Sequence, residues 1–177
     1  FITSYIPTSG STVTRAADIA KITGTNFSSW FNNTEGTIDV SYRLGLDTTA
    51  SRIFQIGKST TTNDLLDIVS ASGAGLGGYF YVNYGGVNQG NGPLVTNSAH
   101  TNSIFKVAAA YKTNDVQAVN NKTTTVFTDT TVNIPSGLDE LYFCQYNRSD
   151  QLNGHLRTAK YYPKRLPLAQ LKGLTQQ

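Results

Sequence analysis

The chain reads as an all-β protein, a jelly-roll sandwich of two antiparallel sheets with an extended arm at its start and one short helix at its end. Three observations carry that expectation. Short stretches of alternating apolar and polar residues recur from Gly36 to Tyr162, separated by turn signals at intervals of about 8–12 residues. Charged residues make up only 14% of the chain, and Thr, Asn, Ser and Gly take their place, a composition that favours strands and turns over helices. Aromatic residues make up 11% of the 177 residues, enough apolar surface for one folded domain with a real core.

Residues 1–25 read as the arm, and 26–177 as a single sandwich domain. Pro7 biases Ile6 towards extended geometry, and Ser9-Gly10-Ser11-Thr12 is turn-like. Thr14–Ala20 has the composition for one helical turn but is too short to stand alone. No methionine occurs anywhere, position 1 included. The arm is therefore expected to continue from an upstream domain of a longer polypeptide.

The first strand is the clearest. In Thr37–Leu44, Ile38, Val40, Tyr42 and Leu44 alternate with Asp39, Ser41 and Arg43, the period of a half-buried strand. Strands then follow at Arg52–Ile56, Leu65–Val69, Tyr79–Tyr84, Ile104–Tyr111, Val116–Val119, Thr124–Phe127, Leu141–Tyr146 and His155–Tyr162. Leu166–Leu174 reads as the helix, because Pro167 suits a first turn and Leu168, Leu171 and Leu174 line one side.

Charge and special residues narrow the function classes. The formal net charge is +3, too small an excess for a nucleic-acid groove, and the cations are not interleaved with aromatics along one element. An acidic polysaccharide is compatible with that bias. No run approaches the roughly 18 apolar residues of a membrane-spanning helix. Cys144 is the single cysteine, so no internal disulfide forms, and its apolar strand suits a small buried hydrophobe.

The opening Ser4–Asp18, ending Arg15-Ala-Ala-Asp18, and the closing Asn153-Gly-His-Leu-Arg157 and Tyr161-Tyr-Pro-Lys-Arg-Leu166 carry a family resemblance. So do Gly36-Thr-Ile-Asp-Val40, Arg52-Ile-Phe-Gln-Ile-Gly57 and Lys106-Val-Ala-Ala-Ala-Tyr-Lys112. Together they resemble the concanavalin A-like (laminin-G-like) β-sandwich module of bacteriophage and prophage tail fibres, tailspikes and related virion proteins. Val119-Asn-Asn-Lys-Thr123 departs from that pattern, where a hydrophobic-Asp-Gly hairpin is usual, although Asn120-Asn121 suits such a turn. The resemblance implies a location on the virion, outside the cell. It also implies binding of bacterial surface polysaccharide or lipopolysaccharide during adsorption, and a homotrimer in the full-length protein. The ligand surface expected from it is the concave sheet or the loops at its rim.

Catalytic signatures are missing from the sequence. Glucanases on this scaffold carry two carboxylates on one strand face. Here the only glutamates are Glu35 and Glu140, Asp39 and Asp67 stand alone, and Asp139-Glu140 reads as a solvated loop pair. No Gly-x-Ser-x-Gly elbow occurs. His100 falls in a loop and His155 in a strand, where Arg157 and Ala159 are expected to share its face and a cross-sheet hydrogen bond to satisfy it. Gly73-Ala-Gly-Leu-Gly-Gly78 matches G-x-G-x-x-G, yet it leads into a strand, not the helix that a dinucleotide site needs. No catalytic residue, metal ligand set or cofactor is expected. Calcium at the sandwich edge is the one ion that Asp47, Asp64, Asp129 and Asp150 leave open.

Sugar rings present a CH face to aromatics and hydroxyls to amides. Tyr79, Tyr81 and Asn83 alternate onto one face of their strand, with Phe80 and Val82 left to fill the core. The loop Tyr84–Gly92 follows with Asn88, Gln89 and Asn91. These six residues are the candidate carbohydrate contacts, with Trp30 as a second candidate, although closure of the sandwich by Trp30 and Phe31 is the plainer role. The sequence therefore predicts a non-catalytic carbohydrate-binding module. The alternative is a structural tail module that mediates trimer packing without ligand.

Overall fold

A computed structural model describes residues 10–12, 19–45, 51–70, 79–93, 103–145, 152 and 154–176, the side chains of Tyr79, Asn91 and Pro93 excepted. Eleven strands and two helices occur among these residues. In chain order they are β1 (Ala20–Thr23), α1 (Thr25–Ser28), β2 (Glu35–Leu44), β3 (Ser51–Lys58), β4 (Thr61–Ser70), β5 (Tyr79–Tyr84) and β6 (Val87–Pro93). Then come β7 (Ile104–Lys112), β8 (Val116–Asn120), β9 (Phe127–Asp129), β10 (Glu140–Phe143), β11 (Gly154–Tyr162) and α2 (Leu168–Gln176).

The strands form two antiparallel sheets in the jelly-roll manner. One has six strands in the order β1-β10-β3-β4-β5-β6, the other five in the order β11-β2-β7-β8-β9. The all-β sandwich that the alternation predicts is thus the fold observed. Ile38, Val40 and Tyr42 of β2, Phe105, Val107 and Tyr111 of β7, and Phe54, Ile56, Leu66, Ile68, Phe80 and Val82 from the other sheet fill the space between. All are 2% exposed or less, so the period of two in each strand is spent on one shared core.

The helix has its own partners. Leu171 is fully buried against Ala108, Ala110 and Val119, on the outer face of β7 and β8. Three small or branched residues there leave room for a helix to lie close. The link from β11 is fixed by Thr37, whose hydroxyl donates to Lys164 O at 2.8 Å and accepts from Leu166 N at 2.9 Å. Arg165 completes it, its guanidinium donating to Gln117 Oε1 at 2.7 Å and pairing with Asp115.

Several expectations are corrected. Within the segment read as an arm, Ala20–Thr23 pairs with β10, so sheet structure begins ahead of residue 26. The first nine residues and 13–18 lie outside the described residues. The loop read after Tyr84 is a strand, β6. Gly92 passes so close under Phe127 that a Cβ would fall 2.0 Å from its ring, which is why a glycine stands at this strand position. The strand read at Thr124–Phe127 begins only at Phe127, because Asn120 Oδ1 accepts from Lys122 N and Thr123 N and holds the chain in a turn. The strand read to Tyr146 ends at Phe143, where Cys144 takes a left-handed φ of 58°. Burial raises the Cys144 thiol pKa, in keeping with a half-buried, inert cysteine.

Candidate functional site

Alternation sets the outer face of the six-stranded sheet. With Phe80 and Val82 turned into the core, Tyr81 and Asn83 turn outwards. Register then runs Lys21, Tyr142, Gln55, Asp67, Tyr81 and Asn91 in one row across all six strands. A second row, two residues along, holds Thr23, Glu140, Gly57, Leu65, Asn83 and Asn88. Opposed side chains in such rows are neighbours within about 5 Å. The other sheet has α2 across its outer face; this one carries an aromatic and amide row.

At the centre of the row is Asp67, fully buried. Its Oδ2 lies 3.1 Å from the Arg52 guanidinium and accepts from Gln55 Nε2 at 3.4 Å. Its Oδ1 has no hydrogen-bond partner, and neither has the buried Oδ1 of Asn83. Burial pushes the Asp67 pKa up to about 7, against the opposing pull of Arg52 and of the Gln55 hydrogen bond. Beside it, the Tyr142 hydroxyl donates to Glu140 Oε2 at 3.1 Å. Lys21 Nζ stands 3.8 Å from the same oxygen and 5.6 Å over the Tyr142 ring. A cavity of about 230 Å³ opens here, lined by Gln55, Leu65, Glu140 and Tyr142 with the β3–β4 turn at Ser59–Thr62. Drug-sized sites span about 300–1,000 Å³, so this one suits a single ring or a chain lying across the face.

The predicted contacts divide. Tyr81 and Asn83 are half-buried on this face. Asn88 is exposed, its Oδ1 accepting from Gly90 N at 3.1 Å, and it pairs with Asn83. The backbones of Tyr79 and Asn91 pair with Val69 and Tyr81; their side chains are not among those described. Gln89 is diverted. The register skips it between the Val82–Gly90 and Asn83–Asn88 pairs, and this bulge lets its Oε1 accept from Asn133 Nδ2 at 3.3 Å.

Trp30 is elsewhere. It closes one side of the sandwich, with ring centroids 5.0 Å from both Phe27 and Tyr161 and its Nε1 donating to Asn26 O. It also walls a groove of about 540 Å³ with Ile22, Phe54, Leu141 and Phe143, core-side residues of the opposite sheet's edge. The structure therefore brings Tyr81, Asn83 and Asn88 together and leaves Trp30 apart. Gln55, Tyr142 and Glu140 are the residues sequence reasoning missed. Their alternation within each strand was visible, but the strand order that sets them on the same face as Tyr81, two and three strands away, was not.

Other candidates fall differently from expectation. Glu140 is a buried residue of β10, not half of a solvated loop pair, while exposed Asp139 accepts from Ser59 N and Oγ at 2.6 Å. Asp64 lies within β4, where its Oδ1 accepts from Gly85 N at 2.7 Å, and Asp129 Oδ1 accepts from Thr131 N at 2.8 Å. Asp47, Asp150, His100 and Gly73–Gly78 lie outside the described residues. Among the described residues no three His, Cys, Asp or Glu side chains converge. His155 is exposed and opposes Arg43. A bulge at Arg157 then reverses the alternation, so Ala159 faces the core and does not share the histidine's face.

Asp67 and Glu140 stand on the outer side of the sheet, both buried, with two strand spacings and two residues between their backbones. Each carboxylate is tied to its own cation, Asp67 to Arg52 and Glu140 to Lys21.

No protein-family model and no curated protein sequence matches this chain. Solved structures do resemble it. Domain 4 of AbnA, a GH43 extracellular arabinanase from Geobacillus stearothermophilus, in complex with arabinotriose, is 13% identical with a TM-score of 0.68, over 91% of this chain and 82% of that one. The Ruminococcus gnavus IT-sialidase CBM40 is 12% identical with a TM-score of 0.64, over 82% of this chain and 84% of that one. The NanB sialidase from Streptococcus pneumoniae is 11% identical with a TM-score of 0.64, over 87% of this chain but only 26% of that one. At such identities the likeness is one of fold: this chain has the β-sandwich of carbohydrate-binding modules.

Proposed function

We propose that this chain is a non-catalytic carbohydrate-binding module of a phage tail protein, acting at the virion surface on bacterial surface polysaccharide or lipopolysaccharide during adsorption. The observation that carries the reading is the aromatic and amide row, Tyr142, Gln55 and Tyr81 with Asn83 and Asn88 beside it, on the sheet face that α2 leaves free. Tyr81 is the stacking platform and the amides take hydroxyls. The fold shared with carbohydrate-binding modules supports the ligand class, and the resemblance of the sequence ends supports the tail context. A shallow face of this kind binds weakly at one site; copies on a trimeric tail multiply it.

The test is a glycan array with whole-cell binding, with and without calcium, on the chain and on Tyr81→Ala and Trp30→Ala. Saturable binding lost about tenfold in folded Tyr81→Ala and kept in Trp30→Ala is the expected result. No binding to any glycan or cell, with trimers in solution, would put a structural packing role in its place.

A further inference from the structure

The chain's positive charge is not where its aromatic row is. Among the described residues, the five-stranded sheet with its turns and the C-terminal segment on it carry nine cations and four carboxylates. The cations include Arg43, Lys106 and Lys160. Among the described residues, the six-stranded sheet and its turns carry three cations, Lys21, Arg52 and Lys58, against four carboxylates, Asp64, Asp67, Asp139 and Glu140.

Each of those three cations is already engaged. Lys21 stands by Glu140 at 3.8 Å, Arg52 by Asp67 at 3.1 Å and Lys58 by Asp64 at 3.9 Å. The cavity at the end of the row is lined by Glu140 and Asp64 with a single cation, Lys58, and otherwise by hydroxyls, an amide and Leu65. An anionic ligand here would have to break an existing pair or sit beside uncompensated carboxylate. A hydroxyl instead donates to Glu140 and accepts from Gln55 or from the threonines of the turn, with no charge displaced.

On the reading of this face as the carbohydrate site, we propose that its ligand is an uncharged glycan, recognised through hydroxyls and a ring face, and that sugars bearing carboxylate or phosphate are disfavoured. The net charge of the chain thus belongs to the opposite sheet and does not describe the ligand.

The experiment measures the affinity of the whole chain for neutral oligosaccharides. Each is run beside the same backbone capped with sialic or glucuronic acid, at low and high salt. Tyr81→Ala and Glu140→Gln are measured in parallel, with thermal melts to confirm folding. The inference expects the neutral member of each pair to bind at least about threefold tighter, with little salt dependence, and Glu140→Gln to narrow that gap. If the acidic member binds tighter, weakens with salt and is lost in Tyr81→Ala, the uncharged-ligand inference fails while the site stands. If no glycan binds, or binding ignores Tyr81→Ala in a folded protein, the carbohydrate face itself is refuted.

Discussion

The hydroxyls of Tyr111 and Tyr161 lie 2.9 Å apart, and both donate to the carbonyl of Asn32, at 2.9 and 3.1 Å. Tyr161 also accepts from Asn32 N at 3.0 Å. Two strands of one sheet, β7 and β11, are thereby joined to the segment that enters β2 between them. Gly36 makes this possible, since a Cβ there would stand 2.6 Å from both hydroxyls.

The two tyrosines are not equivalent. Tyr161→Phe leaves the Asn32 N–H without a partner and is expected to cost about 1–3 kcal/mol, whereas Tyr111→Phe, which leaves Asn32 O still bonded, costs about 1 kcal/mol. Gly36→Ala is expected to cost about 1–3 kcal/mol through overpacking. Urea unfolding of the three variants gives the order; a larger loss in Tyr111→Phe would mean that the Asn32 N–H finds another acceptor.

Much of the fold was legible because alternation and burial share a cause. Ile38, Val40, Tyr42 and Leu44 could be assigned to one face from the sequence, and every one of them is in the core. Phe80 and Val82 likewise turned inwards as their alternation with Tyr81 required. What sequence could not give was anything set by a distant partner. Gly92 of β6 read as loop because the Phe127 ring that demands it is 35 residues away in the chain. The reversal of His155 rests on one bulge, and alternation alone carries no sign of it. The site was half legible for the same reason: Tyr81 and Asn83 follow from β5 alone, whereas Gln55 and Tyr142 reach them only through strand order.

Gly92→Ala tests the β6 account directly. The new methyl must displace the Phe127 ring, and the expected loss is about 1–3 kcal/mol. Gly10→Ala, at a glycine with open space around it but a φ of 79°, separates crowding from backbone strain. If Gly92→Ala costs as much in a Phe127→Ala background as it does in the wild type, the clash is not the cause.

Docking of α2 centres on Leu171, with Leu168 and Leu174 packed beside it. Leu171→Ala removes the only fully buried leucine of the helix and is expected to cost about 2–5 kcal/mol. Hydrogen exchange should show which part opens. Protection lost in α2 and over β7–β8, with β3–β5 unchanged, is the expected pattern; uniform loss would mean that the helix is integral to the whole core.

Asp67 makes stability fall as pH rises. Its pKa is near 3.8 unfolded and about 7 in the fold, so between those values the folded state holds a proton that the unfolded state has released. The native chain then binds more protons than the unfolded one, and unfolding free energy decreases with pH across the window from about 4 to 7. Below it both states are protonated and the group contributes nothing. Above it the full penalty of a buried carboxylate remains, a few kcal/mol, since each pH unit between the folded and unfolded pKa is worth about 1.4 kcal/mol. Asp67→Asn keeps the shape and removes the titration. It gives up the charge partner of Arg52, whose side chain is 22% exposed and can turn to water. The variant is therefore expected to match the wild type closely near pH 4, where the buried Asp67 is itself neutral, and to gain on it by pH 8. Unfolding midpoints of the two proteins at half-unit steps check this, and parallel curves across the window would show that Asp67 stays ionised in the fold.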